Sequence, residues 1–152
     1  MTAPEREPGA GEAGPAPLAR DAVASLVALD AERGATAAVP AVREALRALP
    51  QLSADPAALR GLGPDPLAAL AELAEVIGWI LFDAGLYRRA HRMNGRALAL
   101  AGLCGDRWTA RLTLLNHSML ATHTGRPRAA LEAAAPVGRG RPRPPPGATP
   151  RL

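Results

Sequence analysis

Lysine is absent from this 152-residue chain: all 18 of its Lys+Arg side chains are arginine. A single cysteine, Cys104, leaves no intramolecular disulfide and no zinc site built from cysteine pairs. Aromatic residues make up only 3% of the chain, which disfavours a sheet-based core. Long apolar runs are also missing. The longest strongly apolar stretch without charge, Val76 to Phe82, falls far short of the roughly 20 residues that span a bilayer. The first residues carry neither a basic n-region nor an apolar h-region, so no secretory signal is read and a cytoplasmic location is expected. Proline is absent from Leu67 to Arg126. That window suits long helices, because an interior proline costs about 3 kcal/mol.

Alanine, by contrast, fills roughly a quarter of the chain, which favours slim, closely packed helices. The formal net charge is +4, and it is unevenly placed: Arg139, Arg141, Arg143 and Arg151 lie in the last fourteen residues with no acid among them. Without that tail, 14 arginines face 14 acids. The folded part is therefore expected to be electrically balanced, and direct specific DNA binding is not expected. Four cations in a Pro/Arg-rich tail give only weak, salt-sensitive attraction to a polyanion. Composition divides the chain into an N-terminal disordered segment, 1–18, a helical domain, 19–135, and a disordered tail, 136–152.

Helix starts and stops are explicit. Asp65 before Pro66 predicts an N-cap, with a helix to about Asp83 stopped by Gly85. A second helix is expected from Tyr87 to about Ala101, ended by Gly102. Asp106 caps a third, to about His123 and Gly125, and Pro127 opens a fourth that Pro136 cuts off. Upstream, Asp21 to Arg33 and Ala37 to Leu49 read as two more, with a short helical turn after Ser53 as cap. Leu67, Leu70, Leu73, Ala74, Ile77 and Leu81 share one helical face, and no alternating run suggests a strand.

A repeat emerges within this window. Gly78, Gly85, Tyr87, Ala90 and Ala97 occupy spaced positions in a first unit of about 67–102, with Asn94 between them. Ser118, Gly125, Pro127 and Ala130 fall at corresponding steps in a second unit of about 106–135, whose turn lies forty residues later. Small residues at Gly78 and Ala90 permit close helix approach, and Gly85 makes the turn. The pattern resembles the tetratricopeptide repeat, with the second unit partial: Pro127 stands where an aromatic is usual. More widely, Glu72 to Asp83, Arg96 to Ala101, Asn116 to Met119 and Thr124 to Pro127 look like the C-terminal helical-repeat region of helix-turn-helix transcriptional regulators from high-GC bacteria. No stretch reads as their DNA-binding domain, because Pro40 interrupts the one helix that would serve.

The resemblance implies an all-α fold of antiparallel helix hairpins stacked as a short solenoid, acting as a non-enzymatic module that binds or senses a protein, a peptide or a small signalling molecule. It implies a groove at Glu75, Trp79, Phe82 and Asp83, continued by Leu115, Asn116, Met119 and His123. The Asn116 amide suits an extended peptide backbone, while Trp79 and Met119 offer adaptable apolar contact. The competing reading places Trp79, Phe82 and Met119 in the core. A truncated regulator fragment without independent activity is the alternative function, with self-association through an incomplete C-terminal repeat.

No catalytic set is read. Cys104 has no His nearby in sequence, His117 and His123 are not at metal-pair spacing, and Ser118 and its neighbour His117 diverge on a helix with no oriented acid evident. His91, between Arg89 and Arg92, reads as solvated. Glu72, Glu75 and Asp83 read as ion-paired or solvated opposite Arg88, Arg89, Arg92 and Arg96. No cofactor or metal is implied, and no membrane contact.

Overall fold

The computed structural model describes residues 14–138, which form six α-helices and short 3-10 turns, with no strand among the described residues. The first helix, α1 (Pro15–Arg33), starts six residues before the expected Asp21. Pro15 and Pro17 fall in its first turn, where backbone N–H groups have no intrahelical partner and their loss costs nothing. Ala16 and Ala19 are buried there, so Pro15 to Leu18 belong to the helix rather than to the N-terminal segment assigned to 1–18. Residues 1–13 lie outside the described residues, as does the tail from 139; the stretch before it, Ala135–Gly138, is a 3-10 turn.

Gly34, at φ +84°, separates α1 from α2 (Ala35–Ala48), which carries the exposed Pro40 inside it. Helix α2 tolerates that proline because Ala38, Val39, Val42 and Ala45 remain buried on one side. Asp55, not Ser53, caps the helical turn that follows, accepting from the Ala57 N–H at 3.0 Å.

Helix α3 (Pro64–Asp83) is the centre of the molecule. Its N-cap is Gly63, so Asp65 sits in the first turn, where its charge favours the helix dipole and pairs with Arg20 of α1. Twelve of its twenty residues are buried, and it packs against α1, α2, α4 (Tyr87–Cys104) and α5 (Arg107–His123). Leu70, Leu73 and Ile77 of α3 join Leu26, Val42 and Leu100 in one apolar core. Fully burying each such leucine or isoleucine is worth about 1.5–3 kcal/mol. Helix α4 runs past Gly102 and stops at Gly105, whose φ of +71° supplies the left-handed end. At Gly102 the chain is still helical and exposed: glycine permits a stop there but nothing imposes one. Asp106 caps α5, accepting from the Thr109 N–H at 3.0 Å and its hydroxyl at 2.7 Å. The last helix is α6 (Pro127–Ala134).

One turn occurs twice. After α3, the N–H groups of Ala84, Gly85 and Leu86 donate to the carbonyls of Ile80, Phe82 and Leu81 at 2.9, 2.9 and 2.8 Å. Forty residues on, Thr124, Gly125 and Arg126 donate to Leu120, Thr122 and Ala121 at 3.0, 3.2 and 2.7 Å. Gly85 and Gly125 have φ of +78° and +74°. These bonds satisfy the last carbonyls of a helix through a left-handed glycine.

Helices α3 and α5 lie side by side with a constant offset. Asn116 Nδ2 of α5 donates to Glu75 Oε1 of α3, and seven residues further along both helices the rings of Phe82 and His123 meet. Each pair is 41 residues apart in the same order, so the two helices run in the same direction.

Candidate functional site

On α3, Glu75, Trp79 and Phe82 recur at steps of four and three; on α5, Asn116, Met119 and His123 do so at steps of three and four. These stripes adjoin in the common register, where Glu75 meets Asn116 and Phe82 meets His123. They do not share one environment.

Glu75 and Asn116 are 5% and 9% exposed and bond to each other at 3.0 Å. The Asn116 amide, expected to face an extended peptide, is turned into the α3–α5 seam. Burial of polar groups demands such a partner, which ties the two helices at a fixed register. Trp79 and Phe82 are half-buried with ring centroids 6.0 Å apart. Phe82 also meets Tyr87 at 5.8 Å and His123 edge-on at 5.7 Å, and Tyr87 Oη shares a 2.6 Å hydrogen bond with His123 Nε2. Three of the four aromatic residues in the sequence thus gather with His123 at the adjoining ends of α3 and α5. Such contacts are worth about 0.5–1.5 kcal/mol each beyond area burial.

Leu115 and Met119, one turn apart on α5, are left 42% and 46% exposed. With half-buried Trp79 they form the accessible apolar part of this face. Asp83 is exposed at the end of α3, and its carboxyl is pushed above the ordinary value by partial desolvation and then by the Asp30 charge.

Residues of the expected repeat signature sit behind this face. Gly78 lies against the buried Asn94 side chain so closely that a Cβ there would collide with Asn94 Oδ1. Asn94 Oδ1 and Nδ2 have no hydrogen-bond partner among the described residues, the cost of letting α3 and α4 approach through Gly78, Ala90 and Ala97. Ala130 is buried at the corresponding place in α6, and Tyr87 completes the aromatic cluster.

Sequence reasoning missed one pairing. His91 of α4 and His117 of α5 meet edge-on at 5.3 Å, 26 positions apart. Burial, and then the neighbouring His91, lowers the His117 pKa. Only the packing of α4 on α5 brings them together, and neither local spacing nor periodicity signals it. Burial pushes the Cys104 thiol up, so it stays protonated, and its Sγ donates to the Leu100 carbonyl at 3.4 Å. Among the described residues no group of three or more His, Cys, Asp or Glu is placed to hold a metal, and no helix is long and apolar enough to cross a membrane.

Compared with protein-family models, curated proteins and solved structures, the chain matches none.

Proposed function

We propose that this chain is a non-enzymatic tetratricopeptide-like module whose helix pairs, α3–α4 and α5–α6, stack as a short solenoid. Its α3–α5 face binds an extended protein or peptide segment, in the manner of the effector region of bacterial transcriptional regulators. The observation that supports this most is the turn repeated bond for bond at an offset of forty residues, together with first helices that run in the same direction. That arrangement leaves Leu115 and Met119 accessible beside Trp79 on a face otherwise fixed by the Glu75–Asn116 bond. The partner segment this face suits presents apolar side chains to Trp79 and Met119, since thioether and indole adapt to varied apolar shapes.

Selection from a displayed peptide library tests the reading. Enriched apolar peptides should bind the wild type and lose at least tenfold in affinity to Met119→Glu and Leu115→Glu, while the thermal unfolding midpoint stays unchanged. Failure to enrich any peptide, or binding indifferent to both substitutions, would contradict it. Leu131, 73% exposed on α6, favours a second reading, in which the chain has no independent activity and self-associates through that helix. Sedimentation equilibrium distinguishes the two: concentration-dependent dimerisation abolished by Leu131→Gln supports the second.

A further inference from the structure

The arginines that look balanced along the sequence are not balanced in space. Helix α4 carries Arg88, Arg89, Arg92 and Arg96 and no acid. On one flank, between α4, α5 and α6, a cavity of about 550 Å³ opens. Its cationic lining is Arg88, Arg92 and Arg126, joined by the His91–His117 pair, and none of the described residues lining it carries a carboxylate. None of these three arginines makes an ion pair within 4 Å among the described residues. Leu120, Ala121 and Ala129 supply an apolar wall.

We propose that this cavity is a binding site for a small phosphate-bearing organic anion, of the size of a nucleotide or sugar phosphate. The volume lies within the roughly 300–1,000 Å³ usual for small-molecule sites, and it combines a mainly apolar wall with a few convergent polar groups. Guanidinium forks match phosphate oxygens bidentately, and three of them without a competing carboxylate favour a dianion over a neutral ligand. His91 and His117 add ring N–H donors between the arginines. The groups facing His117 are His91, Arg88 and Arg92 from α4 and Arg126 ahead of α6. Burial, and then His91, hold the His117 pKa down, and a bound phosphate brings a negative charge beside the ring that raises it. A second basic cleft of about 310 Å³ lies on the other side of α4, lined by Arg43, Arg89 and Arg96 and sharing Arg92. It is smaller, has no histidine, and serves as an internal control. The site holds whether or not the α3–α5 face takes a peptide, since the two use different residues.

The test is an NMR titration of the full chain with adenosine monophosphate, inorganic phosphate, succinate and a short oligonucleotide. The expected result is saturable binding of adenosine monophosphate, with inorganic phosphate weaker, the largest shifts at His91, His117 and Thr124, and a raised His117 pKa on saturation. Arg88→Gln with Arg126→Gln should weaken adenosine monophosphate about tenfold or more, while Arg43→Gln with Arg89→Gln should change it less than twofold; all four positions are exposed, so unfolding midpoints should hold. Three results overturn the proposal. Shifts that never saturate mark solvated cations only. Succinate binding as tightly as adenosine monophosphate denies phosphate selectivity. Oligonucleotide affinity that depends equally on both arginine pairs marks a polyanion surface across α4 instead.

Discussion

The α3–α4 and α5–α6 pairs place one turn in two contrasting settings. Around the first, α3 buries twelve of twenty residues and contacts four other helices. Around the second, α6 buries one residue of eight, Ala130, and leaves Leu131 73% exposed. Yet the turn bonds and glycine dihedrals agree position by position. The turn is a local solution, requiring a left-handed glycine and a few backbone bonds, whereas burial depends on how many neighbours a helix has. Stability in this molecule should therefore be concentrated in the first pair, and the second pair should be held chiefly by its seam with α3 and α4.

Substitutions in the two pairs measure that contrast. Leu73→Ala, in the centre of α3, should cost about 2–5 kcal/mol in urea unfolding, whereas Leu131→Ala should stay within about 0.5 kcal/mol; equal losses would erase the contrast. Gly78→Ala should cost about 1–3 kcal/mol by overpacking against Asn94, even though alanine favours a helix. Adding Asn94→Ala should recover part of that loss in a double-mutant cycle, while Ser118→Ala, forty residues on, should change stability by about 0.5 kcal/mol or less. Asn116→Ala removes the bond to Glu75 and should cost about 1–3 kcal/mol. A variant of unchanged stability would show that the seam does not need that bond. The smallest effect expected is pH-dependent. His117 is more acidic in the folded chain than its ordinary value, so folding favours the neutral ring. Its stabilising contribution is complete above about pH 6.5 and is lost as pH falls through the folded pKa. His117→Gln should flatten that part of the pH–stability curve measured by thermal unfolding.

Much of this architecture is legible in the sequence where the signal is local. Gly85, Asp106, Gly125 and Pro127 mark helix ends because each acts through its own backbone geometry or cap. The misplaced boundaries share a cause. Gly102 and Asp65 have the right chemistry for a stop and a cap, but Gly105 and Gly63 take those roles, since neighbouring turns compete for the same signal. Pro15 and Pro17, assigned by composition to the N-terminal segment 1–18, are instead helix starters. At the candidate site, the residues that the resemblance implies for a groove fall on adjoining stripes of α3 and α5, and Met119 is exposed there. What periodicity does not encode is the rotation of α5 against α3. That rotation turns Asn116 inward to Glu75 and His123 onto Tyr87, and it brings His117 to His91. The same packing gathers Arg88, Arg92 and Arg126 beside a cavity, which a charge count along the chain averages away.

Native-state hydrogen exchange resolved to single amides is the most direct test of this contrast between equal turns in unequal surroundings. The Leu86 N–H, bonded to Leu81 in the first turn, should exchange only through global unfolding, and the Arg126 N–H, bonded to Ala121 in the second, through a local opening of clearly lower free energy. Equal protection of Leu86 and Arg126, both at the global value, would contradict the account.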